Sequence, residues 1–265
     1  MSSSNISQES NYSILVINPN TSNRMTEEIR QTVEKVFATP WQPVVVSAPA
    51  GPESLESWRD YSLAATAILP LLAQYPSPRG ILLSCFGDPG LFALKEMASC
   101  PVVGIAEASF SLSLLLGGKF GILAGMDRAV TLMDSLVQTY GLKERYAGTE
   151  PLNLRVLSFD EDKPSTLRIL EQAATRLIKR GAEVLILGCA GLTGFQSELM
   201  QKVSTVVIDP VEAGCRMLKS LLEGGYLLAH SGLYSRPASQ RMLHLERVFS
   251  PTMAKYLSSW EKAKP

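Results

Sequence analysis

The sequence predicts an α/β protein of two similar lobes, each a parallel sheet flanked by helices. Three observations carry that prediction. Short apolar runs alternate with stretches whose apolar residues recur at helical spacing, the alternation that gives parallel sheets. The order of elements restarts near Phe120. Two apolar runs also end alike: Gly80-Ile81-Leu82-Leu83-Ser84-Cys85-Phe86-Gly87-Asp88-Pro89-Gly90 and Val184-Leu185-Ile186-Leu187-Gly188-Cys189-Ala190-Gly191-Leu192-Thr193-Gly194 each pass from strand into a cysteine and a loop of small residues.

Taken in order, Ser13 to Ile17 reads as a buried strand that runs into Asn18-Pro19-Asn20-Thr21-Ser22-Asn23, residues that favour turns and N-caps. Met25, Ile29, Val33 and Val36 then mark a helix face. Val44 to Val46 is a short strand. Residues 54 to 74 read as one helix with Trp58, Tyr61, Ala65, Ile68 and Leu72 inward. After the strand ending at Cys85, Asp88 and Pro89 look like the N-cap and first residue of a helix reaching Met97. Val102 to Ile105 is a strand and Glu107 to Leu116 a helix.

The second half opens with a strand from Phe120 into Gly125, and Asp127 is positioned to cap the helix carrying Val130, Met133, Leu136 and Val137. Leu154 to Leu157 reads as a strand and Leu167 to Lys179 as a helix. Beyond Cys189, Thr193 with Gln196 three residues on is a capping-box pattern. Val206 to Ile208 is a strand, and Asp209-Pro210-Val211-Glu212 opens a helix that Gly224-Gly225 ends. Cys85 and Cys189 are 104 positions apart; Ile14 and Ile122, taken as matching points of the two first strands, are 108 apart. Past Glu223, Met253, Tyr256, Leu257 and Trp260 line one helical face of a segment expected to pack on a lobe or a neighbouring subunit, which admits a homo-oligomer.

Composition limits the function. With 46% hydrophobic residues over 265 positions there is material for a sizeable core. Twenty-five Lys and Arg balance twenty-five Asp and Glu, so no basic excess points to nucleic acid or an anionic membrane. The apolar runs are too short to span a bilayer. Residues 1–12, rich in Ser, Asn and Gln, lack the charged start and apolar centre of a signal peptide and read as a disordered tail on a cytoplasmic protein. The four cysteines lie far apart without a CxxC pair, and there are two histidines, so neither a disulfide framework nor a zinc site is expected.

Cys100 and Cys215 read as small core hydrophobes. Cys85 and Cys189 differ, because core packing does not explain two cysteines in equivalent loops just beyond strand ends, where open α/β sheets bind ligands. A free thiol titrates near 8.5, so about 3% is thiolate at pH 7 and full ionisation costs about 2 kcal/mol. A helix amino end supplies about 0.3 to 2 kcal/mol, and each cysteine precedes an expected helix start by a few residues. Two thiols across a ligand would remove a proton from one face of a carbon and return one to the other, which is two-base racemisation. The loops offer Asn18, Asn20, Thr21, Phe86, Gly87, Gly125, Ala190, Gly191 and Thr193 as candidate binding residues. Their neutral donors and acceptors suit carbonyls and N–H edges better than a free dicarboxylate, which favours Arg or Lys. Arg24 and Arg128, near these loops, read as solvated residues of first helical turns.

At Ile17-Asn18-Pro19-Asn20-Thr21, Cys85-Phe86-Gly87-Asp88-Pro89-Gly90-Leu91 and Leu187-Gly188-Cys189-Ala190-Gly191 the sequence resembles the Asp/Glu/hydantoin racemase superfamily, in its hydantoin and allantoin racemase branch, over roughly residues 13 to 223. The resemblance implies a cofactor-independent racemase with its site in the inter-lobe cleft and Cys85 and Cys189 as the acid/base pair. It implies that the helix after Asp209-Pro210 crosses back to the first lobe. The lobes are then 13–105 with 210–265, and 106–209. The implied substrate is an uncharged cyclic ureide: a 5-substituted hydantoin or allantoin. Alternatives are an amino-acid racemase or maleate-type isomerase on the same scaffold, or a non-catalytic protein binding a nitrogen metabolite. Decarboxylases of the superfamily typically retain one cysteine of the pair, and this chain has both.

Overall fold

The computed structural model describes residues 13–236 together with His244, Arg247, Pro251 and Lys255. The expected face of Met253, Tyr256, Leu257 and Trp260, and the tail 1–12, lie outside the described residues.

Two four-stranded parallel sheets share one topology. The first contains β1 (Ile14–Asn18), β2 (Pro43–Ser47), β3 (Gly80–Leu83) and β4 (Val102–Gly104), in the order β2-β1-β3-β4. The second contains β5 (Phe120–Ala124), β6 (Tyr146–Pro151), β7 (Val184–Leu187) and β8 (Val206–Ile208), in the order β6-β5-β7-β8. The runs ILVIN, GILL, FGILA and VLIL are buried at every position, as strands covered on both faces must be. Ile14 pairs with Gly80 and Phe120 with Val184. The first strands therefore match at Ile14 and Phe120, two residues from the match with Ile122 that the sequence suggests.

The helices are α1 (Asn23–Val36), α2 (Trp58–Ile68), α3 (Leu71–Gln74), α4 (Leu91–Met97), α5 (Ile105–Leu116), α6 (Arg128–Thr139), α7 (Lys163–Lys179), α8 (Gln196–Val203) and α9 (Pro210–Glu223). Ser22 caps α1 by accepting from Met25 N, and Met25, Ile29, Val33 and Val36 form its buried face. Asp162 caps α7, which starts four residues before the expected Leu167. Asp209 caps α9 through Val211 N and Glu212 N, while the Glu212 carboxylate pairs with Arg216 instead of closing a capping box.

Alternation along the strands separates three cores. Leu15, Ile17, Ile81 and Leu83 face outward beneath α2, α3 and α4. Leu123, Leu185 and Leu187 face α7 and α8. Ile14, Val16 and Leu82 of the first sheet share a single cluster with Phe120, Ile122, Val184 and Ile186 of the second, together with residues of α1, α5, α6 and α9. Helix α9 packs against α1, α5, β3 and β4. Gly214 permits that approach: a Cβ there would lie 2.8 Å from Leu82 Cδ1 and 2.9 Å from Ile105 Cγ2.

Several expectations change. The single helix over 54–74 is two, separated at Leu69-Pro70, because Pro70 has no N–H to continue the ladder. Trp58 is 60% exposed, and Asp60, Ala64 and Ile68 form the buried face of α2. The strand expected at Leu154 to Leu157 is a 3-10 turn at Val156–Ser158. The actual strand, β6, lies at the sheet edge and carries Gly148, Glu150 and Pro151 where a central strand would be apolar. Helix α4 starts at Leu91 behind a left-handed Gly90, and Asp88 does not cap it. Asp127 sits at the start of α6 without a side-chain capping hydrogen bond.

Candidate active site

Each cysteine stands two residues past the third strand of its sheet, beside the first strand, where strand order reverses and such sheets leave a crevice. After β3 the chain turns tightly, with Asp88 N donating to Cys85 O at 3.1 Å and Leu91 N to Asp88 O at 3.1 Å. Gly87, at φ +153°, is required by close approach: a Cβ there would lie 2.2 Å from Tyr61 Cε1. Asp88 caps a different helix from the expected one. Its carboxylate accepts from Ala106 N at 3.2 Å and Glu107 N at 2.9 Å, at the start of α5, and from the Tyr140 hydroxyl at 2.7 Å, just beyond α6. Burial pushes the Asp88 carboxyl up to about 7, with the Glu107 charge adding and the hydrogen bonds opposing.

Cys189 begins a 3-10 turn over Ala190–Leu192. Gly188 lies against β5, where a Cβ would be 2.8 Å from Leu123 O. Thr193 does not cap α8. It donates to Asp209 Oδ2 at 2.7 Å and lies 3.1 Å from the Thr32 hydroxyl of α1, while Gly194 N donates to the same Asp209 oxygen at 2.9 Å. The N-cap carboxylate of α9 therefore also holds the Cys189 loop.

Cys85 and Cys189 line one cavity of about 40 Å³ together with Asn20, Phe86, Gly125 and Ala190. The other candidate residues lie around it. Asn18 is fully buried and donates to Asn20 Oδ1 at 2.8 Å and Thr26 Oγ1 at 2.9 Å. Thr21 holds the 51–52 turn through Pro52 O and Gly51 O. Gly191 packs beside Cys189, its N–H directed at the sulfur. Thr193 faces Asp209, and Gly87 faces a neighbouring cavity. Lining residues that the sequence reading missed include Met25, Glu56, Tyr61, Ser84, Met126 and Met133. Ser84, 1% exposed, is the buried side chain among the described residues whose oxygen has no hydrogen-bond partner. Its place just before Cys85 was the available signal; Tyr61 and Met133 come from helices that nothing local connects to the cysteines. Glu56 also lines a wider mouth of about 690 Å³ that holds Arg128 and Arg155. Arg24 pairs with Glu28 and donates to Leu157 O.

Burial raises both thiols. Cys85 is pushed well above the ordinary range, first by burial, then by charge on Cys189 and Asp88. Cys189 is pushed up to about 12 by burial, with the Gly191 N–H opposing and the Glu56 and Glu28 charges adding. The expected lowering by helix amino ends fails because α4 and α8 begin six and seven residues beyond their cysteines, and desolvation outweighs the remaining N–H. A charge on one sulfur opposes ionisation of the other, so the pair favours at most one thiolate.

The sequence profile of the Asp/Glu/hydantoin racemase family matches residues 14–218. The chain belongs to that family. It is an isomerase of the racemase type. The chain is 36% identical over 234 residues to the hydantoin racemase of Paenarthrobacter aurescens, covering 87% of this chain and 99% of that protein. The allantoin racemase of Klebsiella pneumoniae superposes with a TM-score of 0.80 at 31% identity, over 86% of this chain and 95% of that one. The allantoin racemase of Pseudomonas fluorescens gives 0.82 at 29% identity, over 87% and 99%. Both lobes of this racemase, one sheet in each, thus have counterparts among solved folds of the family. Among its described residues no helix is long and apolar enough to cross a membrane.

Proposed function

We propose that the chain racemises an uncharged cyclic ureide, a 5-substituted hydantoin or allantoin, by proton exchange between Cys85 and Cys189 without a cofactor. The observation that carries the reading is that two cysteines on equivalent loops of equivalent sheets line one cavity. One sulfur, as thiolate, takes the proton on the ring carbon. The other, as thiol, delivers one to the opposite face, and the roles exchange with substrate handedness. The carbanion is delocalised into the adjacent carbonyl. The unpartnered Ser84 hydroxyl and the Asn20 amide, both at the cavity, are suited to the ring's carbonyl and N–H groups.

Charge supports a neutral substrate. Among the described residues the one charged side chain at the cysteine cavity is Glu56, which would repel an amino-acid carboxylate; Arg128 and Arg155 stand out in the mouth. The lobes in this reading are 13–105 with 210–265, and 106–209, moving about the cleft.

The test is incubation of one enantiomer of a hydantoin or of allantoin in heavy water. Optical rotation should decay as deuterium enters at the ring carbon. Cys85→Ser and Cys189→Ser should each abolish turnover in both directions, and Ser84→Ala should lower kcat/KM about tenfold, the worth of one hydrogen bond to substrate. Rotation that stays constant across a panel of both ureides rejects the assignment.

A further inference from the structure

The cysteine cavity is too small to hold a substituted ring whole: about 40 Å³, against about 150 Å³ for an apolar cavity that binds benzene. A second cavity of about 180 Å³ adjoins it, and Tyr61 and Met133 line both. Its other walls are largely apolar: Trp58, Leu91, Phe92, Leu132 and Leu136. Apart from the Trp58 indole N–H at its exposed rim, the polar side chains on it have their protons committed. Tyr61 donates to Phe86 O, Tyr140 to Asp88, and Thr139 to Ser135 O, while the Asp88 oxygens are taken by Tyr140 and the start of α5.

Resting on the proposed ureide racemisation, we infer that this second compartment receives the ring substituent, and that the preferred substrates carry a bulky apolar group of benzyl size and not the ureido chain of allantoin. With the lobes parted enough to admit it, the ring lies between the sulfurs and its substituent passes Tyr61 and Met133. A phenyl group matches the volume and needs no hydrogen bond. A ureido group loses its water there and meets one uncommitted side-chain donor, the indole N–H of the exposed Trp58 at the rim, and such losses cost more than a surplus of apolar area returns. Gly87 belongs to the same arrangement, because it lets the Tyr61 ring lie against the Cys85 loop as the shared wall.

The experiment measures kcat/KM by polarimetry for single enantiomers of 5-benzylhydantoin, 5-methylhydantoin and allantoin, in the wild type and in Leu136→Trp, which fills the second compartment. The wild type should prefer the benzyl over the methyl compound by about tenfold or more, with allantoin lowest. In Leu136→Trp the benzyl-to-methyl ratio should fall at least about tenfold. Thr139→Trp, at an exposed position on the same wall, replaces it if Leu136→Trp does not fold. A wild type that favours allantoin or the methyl compound overturns the inference while leaving the ureide racemase reading intact, as does a ratio unchanged by a folded wall variant. Racemisation of none of the three overturns both.

Discussion

Cys85 and Cys189 are legible in the sequence because each ends an apolar run and enters a loop of small residues, a pattern contained in eleven consecutive positions. Their ionisation is not legible, since it depends on what the fold places around the sulfurs. Sequence reasoning expects reactive thiolates near neutral pH; burial reverses the expectation, raising Cys189 to about 12 and Cys85 well above the ordinary range. The sign follows directly. A raised thiol pKa means less thiolate at any given pH, and the protonated form is what the fold favours. That stabilising contribution is complete below the unfolded value near 8.5 and is lost as pH rises towards the folded value. Labelling with iodoacetamide, followed site by site with mass spectrometry, should therefore be slow at pH 7 and rise about tenfold per pH unit through pH 10 at Cys189. An ordinary thiol levels off above about 8.5. A plateau near that pH in the folded protein would show that burial does not control this sulfur.

At the scale of elements, two carboxylates fasten the cysteine loops in opposite senses. Asp88 lies on the Cys85 loop and reaches the start of α5; Asp209 lies at the start of α9 and receives Thr193 and Gly194 from the Cys189 loop. The Asp209 cap is readable because its helix partners are two and three residues away. Asp88 is misread as the cap of the nearest helix because its true partners, Ala106, Glu107 and Tyr140, are distant in sequence, and local cap rules see only neighbours. The β6 edge strand is missed for a related reason, since its pairing with β5 leaves no apolar signature of its own. Asp209→Ala removes a cap worth about 0.5–2 kcal/mol and strands two loop donors. The loss should total about 3 kcal/mol and lower the melting temperature by about 6–12 °C. Asp209→Asn, which keeps a carbonyl oxygen, should lose less. Thermal melts of the two variants decide this; a melting temperature for Asp209→Ala within about 2 °C of the wild type removes Asp209 as the fastening.

At the scale of the whole molecule, the element repeat suggests two similar lobes, and packing joins them. The inner faces of both sheets belong to one apolar cluster, bridged by α5 and covered by α9. The separation of the two sulfurs is therefore set by a shared core, and lobe movement is movement about that core. Gly214 offers a way to test this from one side. The atoms nearest a Cβ there belong to Leu82 of β3 and Ile105 of α5. Gly214→Leu should cost about 1–3 kcal/mol through overpacking. If the cluster unfolds as a unit, amide hydrogen exchange should accelerate by the same factor in β1 and in β5, although the nearest clashes are with β3 and α5. Protection of β5 that stays at the wild-type level while β1 loses its own would mean two cores that unfold separately, and the distance between Cys85 and Cys189 would then be free to vary with each lobe's stability.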